Sequence, residues 1–276
     1  MIKPNAVKII RATRFVNLKL KPYKGRLLNK IFEGATLVSM IVLRMILLLS
    51  ALFLSAHEIT YSYEYDYLRE LVFRGEGKME IRQGSKNHLE ISADPALLSN
   101  IEISDNQGVL MIHPGNADFS ARFPGIINVK LTVKHLEKIT LAGSLEIDID
   151  ELKGEHFVIV ADLDKAAFLE GNLDFDHLIT NLYGSGQVSL QGEVRNQSIF
   201  LKGDGRYAGQ NLKSKNANII VRGPGTVFVL ATDELNASIR ESGHVHYVKH
   251  PKPPKIINER IEGKGEISPY TEEIKK

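Results

Sequence analysis

The chain has 276 residues, of which 43% are hydrophobic and 25% charged, as expected of a globular protein with a sizeable core. Cysteine is absent, which excludes disulfides, thiolate metal sites, a cysteine nucleophile and a lipidated cysteine. The net charge of +2 hides an asymmetry, because residues 1–34 carry nine basic residues and one acid. Residues 57–276 carry 25 basic and 32 acidic residues, a net charge of −7, which argues against nucleic acid as a partner.

Residues 35–56 form the predicted targeting segment. They are apolar apart from Arg44 and small hydroxyl residues, and Met45 to Leu54 has the length of a signal-peptide core rather than a membrane span. Leu54-Ser55-Ala56 is an acceptable, imperfect cleavage site. The alternatives are an uncleaved inner-membrane anchor with the basic arm inside, or a buried core helix.

The basic extension, residues 1–34, is long for a signal peptide. The sequence leaves open a mis-assigned start, with translation beginning instead at Met40 or Met45. In either case we expect the N-terminal segment to engage the export machinery or the inner membrane. The predicted location is the periplasm, the outer surface or the extracellular space, with inner-membrane anchoring as the alternative.

A repeat of 18 to 22 residues dominates the rest of the chain. Its predicted turn positions are Gly143, Asp162, Gly184, Gly203, Gly223, Glu241 and Gly263. Two residues before the turn, every position is aliphatic: Leu141, Val160, Leu182, Leu201, Val221, Ile239 and Ile261. Four residues after it, every position is apolar: Ile147, Ala166, Val188, Tyr207, Val227, Val245 and Ile267. Polar residues stand between these columns, with Glu146 expected beside Lys165, so the pattern indicates alternating inward and outward rows of short strands.

Stacked units of this length predict an all-β fold, a parallel β-helix of roughly 20-residue coils. Residues 57–67 would be a tyrosine-rich linker or edge strand, and 68–270 the β-helix domain. Within it, residues 68–134 alternate without the repeat and would form an irregular cap on the first coil. Residues 256–270 would add a last rung, and residues 271–276 a tail. The Gly-x-Gly pairs lack the third glycine and the helix of a dinucleotide-binding loop.

These residues resemble a family of secreted bacterial proteins described as putative autotransporter adhesin, head GIN domain. The resemblance covers about residues 68–270. It rests on Leu89-Glu90-Ile91-Ser92-Ala93-Asp94, on Leu136 to Ser144, and on the repeated Gly-x-Gly turns, of which only Gly184-Ser185-Gly186 has the family's Gly-Ser-Gly form. It implies a right-handed parallel β-helix, export and no established enzymatic activity.

An acidic run is the first candidate site. Stacked coils could gather Asp148, Asp150, Asp162 and Asp164 into a calcium site, since calcium takes six to eight oxygen ligands. The same carboxylates could serve a glycosidase, or simply form a solvated face. No other cofactor is expected.

Histidines offer weaker candidates. His135, His156 and His177 recur every 21 residues, and a polar ladder continued by Asn196 and Asn216 is a simpler interpretation than a metal site. His244 and His246, with His250 nearby, would form a solvated rung.

Four tyrosines, Tyr61, Tyr63, Tyr65 and Tyr67, alternate along one extended segment and form the candidate ligand-binding face. Tyrosine combines a large apolar surface with a polar tip, which suits recognition of sugars and proteins. The alternative is a strand that packs on the protein's own core.

The sequence therefore predicts an exported, non-enzymatic binding or adhesion module for an extended surface such as a glycan or an envelope protein. The alternatives are a polysaccharide lyase or hydrolase on the same fold, and a purely structural envelope protein.

Overall fold

The computed structural model describes residues 58–115, 126–249 and 251–270. The predicted extension, targeting segment and tail lie outside these residues, as does His250. Within the described residues, no helix is both long enough and apolar enough to span a bilayer.

The described elements are almost all strands. The N-terminal part holds β1 (Ile59–Tyr65), β2 (Glu70–Gln83), β3 (Asn87–Ala93), a short helix α1 (Pro95–Leu98), β4 (Ile101–Asn106), β5 (Val109–Pro114) and β6 (Ile127–Val133). The repeat holds β7 (Lys138–Leu163), β8 (Phe168–Gly184), β9 (Gln187–Gly203), β10 (Arg206–Arg222), β11 (Thr226–Glu241), β12 (His244–Val248), β13 (Lys255–Gly263) and β14 (Glu266–Tyr270).

The repeat is a parallel β-solenoid, as predicted. Strand β2 pairs in parallel with β7, and β7 to β11 then stack in chain order. The last coil is divided, because β13 pairs with β11 while β14 pairs with β12. The predicted final rung is therefore present.

The N-terminal region is a mixed sheet that covers the first coil. Strand β6 lies parallel to β2, whereas β3 runs antiparallel to β6, and β1 runs antiparallel to β3 at the edge. Strands β4 and β5 form a hairpin whose second strand also pairs with β2. Antiparallel strands close this end, so it does not present the free parallel edge of a truncated solenoid.

Aliphatic ladders fill the interior. Leu182, Leu201, Val221 and Ile239 are aligned on successive coils and at most 1% exposed. With no disulfide available, stability comes from packing and backbone pairing, and each fully buried aliphatic side chain contributes about 1.5–3 kcal/mol.

One coil departs from the predicted columns. The corner between β7 and β8 contains four residues, 164–167, where the next corner contains only Ser185 and Gly186. Inward positions therefore fall on Ala161 and Leu169 rather than on Val160 and Ala166. The expected neighbour pair of Glu146 and Lys165 is wrong for the same reason, since Glu146 aligns with Phe168 and forms an ion pair with Lys78.

A chain of hydrogen bonds satisfies the polar side chains buried between the ladders of β9 and β10. The Tyr207 hydroxyl donates to Gln197 Oε1 (3.0 Å), and Gln197 Nε2 donates to Ser214 Oγ (2.7 Å). Ser214 then donates to the Leu230 carbonyl (3.0 Å). Burial raises the pKa of Tyr207, which therefore stays a neutral donor.

Backbone contact at the corner explains the glycines. Gly203 has a φ of +121°, and a Cβ placed there would lie 2.4 Å from the Gly184 carbonyl oxygen. A side chain at this position would push successive coils apart.

We expect Gly203→Ala to lower the free energy of unfolding by about 2 kcal/mol or more, since backbone strain and the clash add together. Lys165→Ala, in the glycine-free corner between β7 and β8, should change it by less than about 0.5 kcal/mol. Urea unfolding followed by circular dichroism measures both, and equal stability of the two variants would contradict a tight corner.

Candidate ligand-binding groove

An open groove of about 500 Å³ follows the glycine corner across successive coils. Its lining residues are Tyr183, Gly184, Lys202, Gly203, Arg222, Gly223, Pro224 and Glu241. The glycines have no side chains, so the floor of the groove is backbone and its walls are the residues on either side of the corner. We call it the corner groove.

Strand register sets the spacing of the wall residues. Tyr183 aligns with Lys202, Lys202 with Arg222, and Arg222 with Arg240. Neighbouring parallel strands lie about 4.7–4.9 Å apart. The groove therefore presents one side chain per coil at a regular interval along the solenoid axis.

Aromatic side chains form part of the same face. Phe200 is half-buried and meets Tyr183 edge to face, with the ring centroids 5.8 Å apart. The Arg222 guanidinium lies 5.5 Å from the Phe200 ring centroid. Exposed Ile220 extends the apolar strip beside them.

The charges in this row are unbalanced. In the described part of the chain, no carboxylate lies within 4.0 Å of the charged nitrogens of Lys202 or Arg222. Arg240 is different, since its Nε lies 3.2 Å from Glu262 Oε2. Asp162 aligns with Tyr183 at the other end of the row. The positive potential is therefore concentrated on two adjacent coils.

Glu241 occupies a corner position that glycine holds in most other coils. Its φ is +77°, and positive φ is found at the equivalent place in Gly75, Gly143, Gly184, Gly203, Gly223 and Gly263. For a residue other than glycine, a backbone with positive φ lowers the stability of the folded state by roughly 1–2 kcal/mol. Its exposed carboxylate ends the groove on the side of β11.

In a second aromatic cluster on the outer face, the side chains pack against one another. Phe228 is only 8% exposed, because Arg206 lies 4.1 Å from its ring centroid and the rings of His246 and Tyr270 lie 5.0 and 5.2 Å away. Burial, followed by the charge of His244, lowers the pKa of His246. This cluster joins β10 to the last coils and leaves little surface for a ligand.

The structure divides the four candidate tyrosines. Tyr61, Tyr63 and Tyr65 are half-buried and pack against the core, whereas Tyr67 is 59% exposed. Burial raises the pKa of Tyr65, with a smaller contribution from Asp105. A recognition role for all four remains a prediction, and the geometry gives three of them a packing role.

The four candidate aspartates are not gathered together. Asp148 and Asp150 line one polar groove with Glu170, whereas Asp164 Oδ2 accepts a hydrogen bond from Ser144 (2.6 Å) at the corner. Within residues 58–115, 126–249 and 251–270, no three His, Asp or Glu side chains are placed to hold a metal ion. Calcium binding stays a prediction, which calorimetric titration decides.

The histidine ladder follows the predicted order over four coils. His156 and His177 stack with ring centroids 4.9 Å apart, and Asn216 Nδ2 donates to Asn196 Oδ1 (2.8 Å). His135 precedes β7 and belongs to no strand. His244 and His246 also lie parallel on one strand, with centroids 6.0 Å apart.

The corner groove was not among the predicted sites. The sequence signal for it is the position directly before the turn position of each repeat, which holds Tyr183, Lys202, Arg222 and Arg240 in four successive repeats. The contact of Phe200 with Tyr183 depends on the three-dimensional stacking and has no comparable signal in the sequence.

We expect Tyr65→Ser to lower the free energy of unfolding by about 1–3 kcal/mol, because it removes a ring packed on the core. Tyr67→Ser should stay within about 0.5 kcal/mol of the parent protein. Denaturant unfolding compares the two, and an unchanged Tyr65→Ser protein would argue against the packing role.

We expect Glu241→Gly to raise the free energy of unfolding by about 1 kcal/mol, because glycine removes the cost of the positive φ. Glu241→Gln keeps the strained backbone and should leave stability unchanged. Thermal and denaturant unfolding measure the difference. A loss of stability in the glycine variant would show that the Glu241 side chain supports the fold.

Comparisons with known proteins agree with the fold. The model of the family described as putative auto-transporter adhesin, head GIN domain, matches residues 68–251. No curated protein matches the chain significantly.

Three solved structures are similar over most of their length. A putative adhesin from Bacteroides fragilis has a TM-score of 0.69 at 19% identity, covering 78% of this chain and 98% of its own. A putative lipid binding protein from Parabacteroides distasonis has a TM-score of 0.61 at 20% identity, covering 79% and 98%. A putative adhesin from Parabacteroides merdae has a TM-score of 0.58 at 20% identity, covering 79% and 98%.

Proposed function

Because the chain belongs to the putative auto-transporter adhesin, head GIN domain family, we propose that it is an exported, non-enzymatic adhesion module that binds an extended glycan. The observation that carries the proposal is the corner groove, which runs along the solenoid axis and is open to solvent. A groove with one wall residue per coil suits a polymer that lies along several coils.

The groove contains the chemical groups that sugar recognition needs. Tyr183 and Pro224 line the groove, Phe200 packs against Tyr183 beside it, and all three offer apolar surfaces on which the faces of sugar rings can pack. Lys202 and Arg222 donate hydrogen bonds, and Glu241 accepts them from hydroxyl groups. All three charged side chains are exposed, so a ligand can reach them without a conformational change.

A lipid ligand is less well supported. One similar structure is described as a putative lipid binding protein. In the present chain, however, the interior between the coils is filled by tightly buried aliphatic ladders and by Tyr207. An acyl chain would have to lie on the outer surface, where three charged side chains stand among the apolar and glycine residues of the corner groove.

A polysaccharide-active enzyme is the second candidate, favoured by one feature. Asp148, Asp150 and Glu170 line a polar groove of about 380 Å³ on the other side of the corner. Two carboxylates flanking a scissile bond are the usual requirement for glycoside hydrolysis. The corner groove itself is lined by a single carboxylate, that of Glu241.

Export is part of the proposal. The family name suggests a surface or exported protein, and residues 35–56 have the pattern of a signal peptide or an inner-membrane anchor. A module held outside the cytoplasmic membrane would meet envelope or environmental glycans directly.

A glycan array probed with the purified protein tests the proposal, together with an assay for reducing sugars released from every glycan that binds. We expect binding without release, and weaker binding when Tyr183 and Phe200 are both changed to Ala. Release of reducing ends would favour the enzyme. Absence of any glycan binding would contradict the proposed function and favour a structural role.

A further inference from the structure

We propose that the glycan bound in the corner groove is acidic, with negative groups of the polymer seated on Lys202 and Arg222. The inference rests on the proposed function and names the chemical class of its ligand. It follows from the way charge is arranged on neighbouring coils.

Several bases elsewhere on the solenoid are paired with acids of the adjacent strand. Lys78 lies 2.5 Å from Glu146, Arg195 lies 3.2 Å from Asp176, and Lys213 lies 3.2 Å from Glu193. Opposite charges on neighbouring strands stabilise a sheet, and like charges directly opposite destabilise it. Cross-strand neutralisation is thus available to bases on this surface, although acids also follow one another at Glu80, Asp148 and Glu170.

In the corner groove, Lys202 and Arg222 lack such a pairing with an acid among the described residues. Lys202 aligns directly with Arg222, and Arg222 with Arg240, so three positive side chains follow one another on adjacent coils. Glu262 neutralises only the last of them. The repulsion between Lys202 and Arg222 is relieved when an anion binds both, because a carboxylate bound to Arg or Lys forms strong, charge-assisted hydrogen bonds.

The remaining groups of the groove favour an acidic sugar over a denser polyanion. Glu241 would repel a phosphate-rich backbone but can accept hydrogen bonds from sugar hydroxyls. The net charge of −7 over residues 57–276 repels every polyanion at long range, and most strongly duplex nucleic acid, which has the higher charge density. A polymer with one carboxylate and several hydroxyls per unit fits both the positive pair and the acid.

The test compares polymers that differ only in charge. Calorimetry with the full-length protein would use polygalacturonate and alginate, each against its methyl-esterified form, at two salt concentrations. We expect an acidic polymer to bind, its ester to bind at least about tenfold more weakly, and the affinity to fall with salt, since the ester lacks the charge that strengthens hydrogen bonds to Lys202 and Arg222.

Matched variants locate the interaction. Lys202→Gln and Arg222→Gln should each weaken binding of the acidic polymer by about tenfold, and the double variant should abolish it. Lys213→Gln removes the same charge from a base outside the groove and should leave binding unchanged. Thermal unfolding of all four variants confirms that each is folded.

Four results would overturn the inference. Equal binding of the acidic and esterified polymers would contradict the inference and leave the proposed glycan function intact. Unchanged binding in both groove variants would have the same consequence. Tighter binding of an oligodeoxythymidine than of either polyuronate would point to nucleic acid instead. Failure of every polymer here and of every glycan on the array would remove the inference and the proposed function together.

Discussion

The structure depends on the approach of successive backbones at the glycine corner. Gly205 N donates to the Gly184 carbonyl (3.1 Å), and one coil later Gly225 N donates to the Gly203 carbonyl (3.0 Å). These bonds leave no room for a side chain and fix the stacking of each coil on the last. Once the corner is fixed, strand alternation sends every second side chain inward. The aliphatic ladders and the regular outer rows are thus two consequences of one backbone contact.

Packing restricts which side chains can stand in the interior, so the coils differ mainly in their outward-facing residues. Inward positions are mostly aliphatic, and the buried polar side chains on β9 and β10, Gln197, Tyr207 and Ser214, satisfy one another through hydrogen bonds. The outer rows are free to vary because each side chain there projects into solvent. The fold therefore tolerates variation in charge, from the paired Lys78 and Glu146 to the unpaired Lys202 and Arg222.

The apolar columns were sufficient to predict the solenoid, because packing in a ladder demands an apolar residue at each inward position whatever the loop length. They failed at residues 164–167, where two extra corner residues shift the register without leaving a glycine to mark the place. The strand order β1-β3-β6-β2 in the N-terminal sheet could not be predicted, since no repeat in these strands indicates which of them pair. The alternating tyrosines could not be assigned from spacing, because a ligand-binding face and a core-packed edge strand have the same two-residue period. The groove was not predicted, because its floor and walls are formed only when several coils stack.

Two costs to stability meet in the corner groove. The first is the stack of like charges formed by Lys202 and Arg222, and the second is the positive φ of Glu241. Their physical origins are independent, one electrostatic and the other steric, and each has a cheaper alternative in other coils of the same chain. Strained and frustrated positions concentrate at binding sites, where an interaction with the ligand offsets their cost. Because both departures line one groove of about 500 Å³, ligand binding explains them with a single cause, whereas a purely structural solenoid would need two.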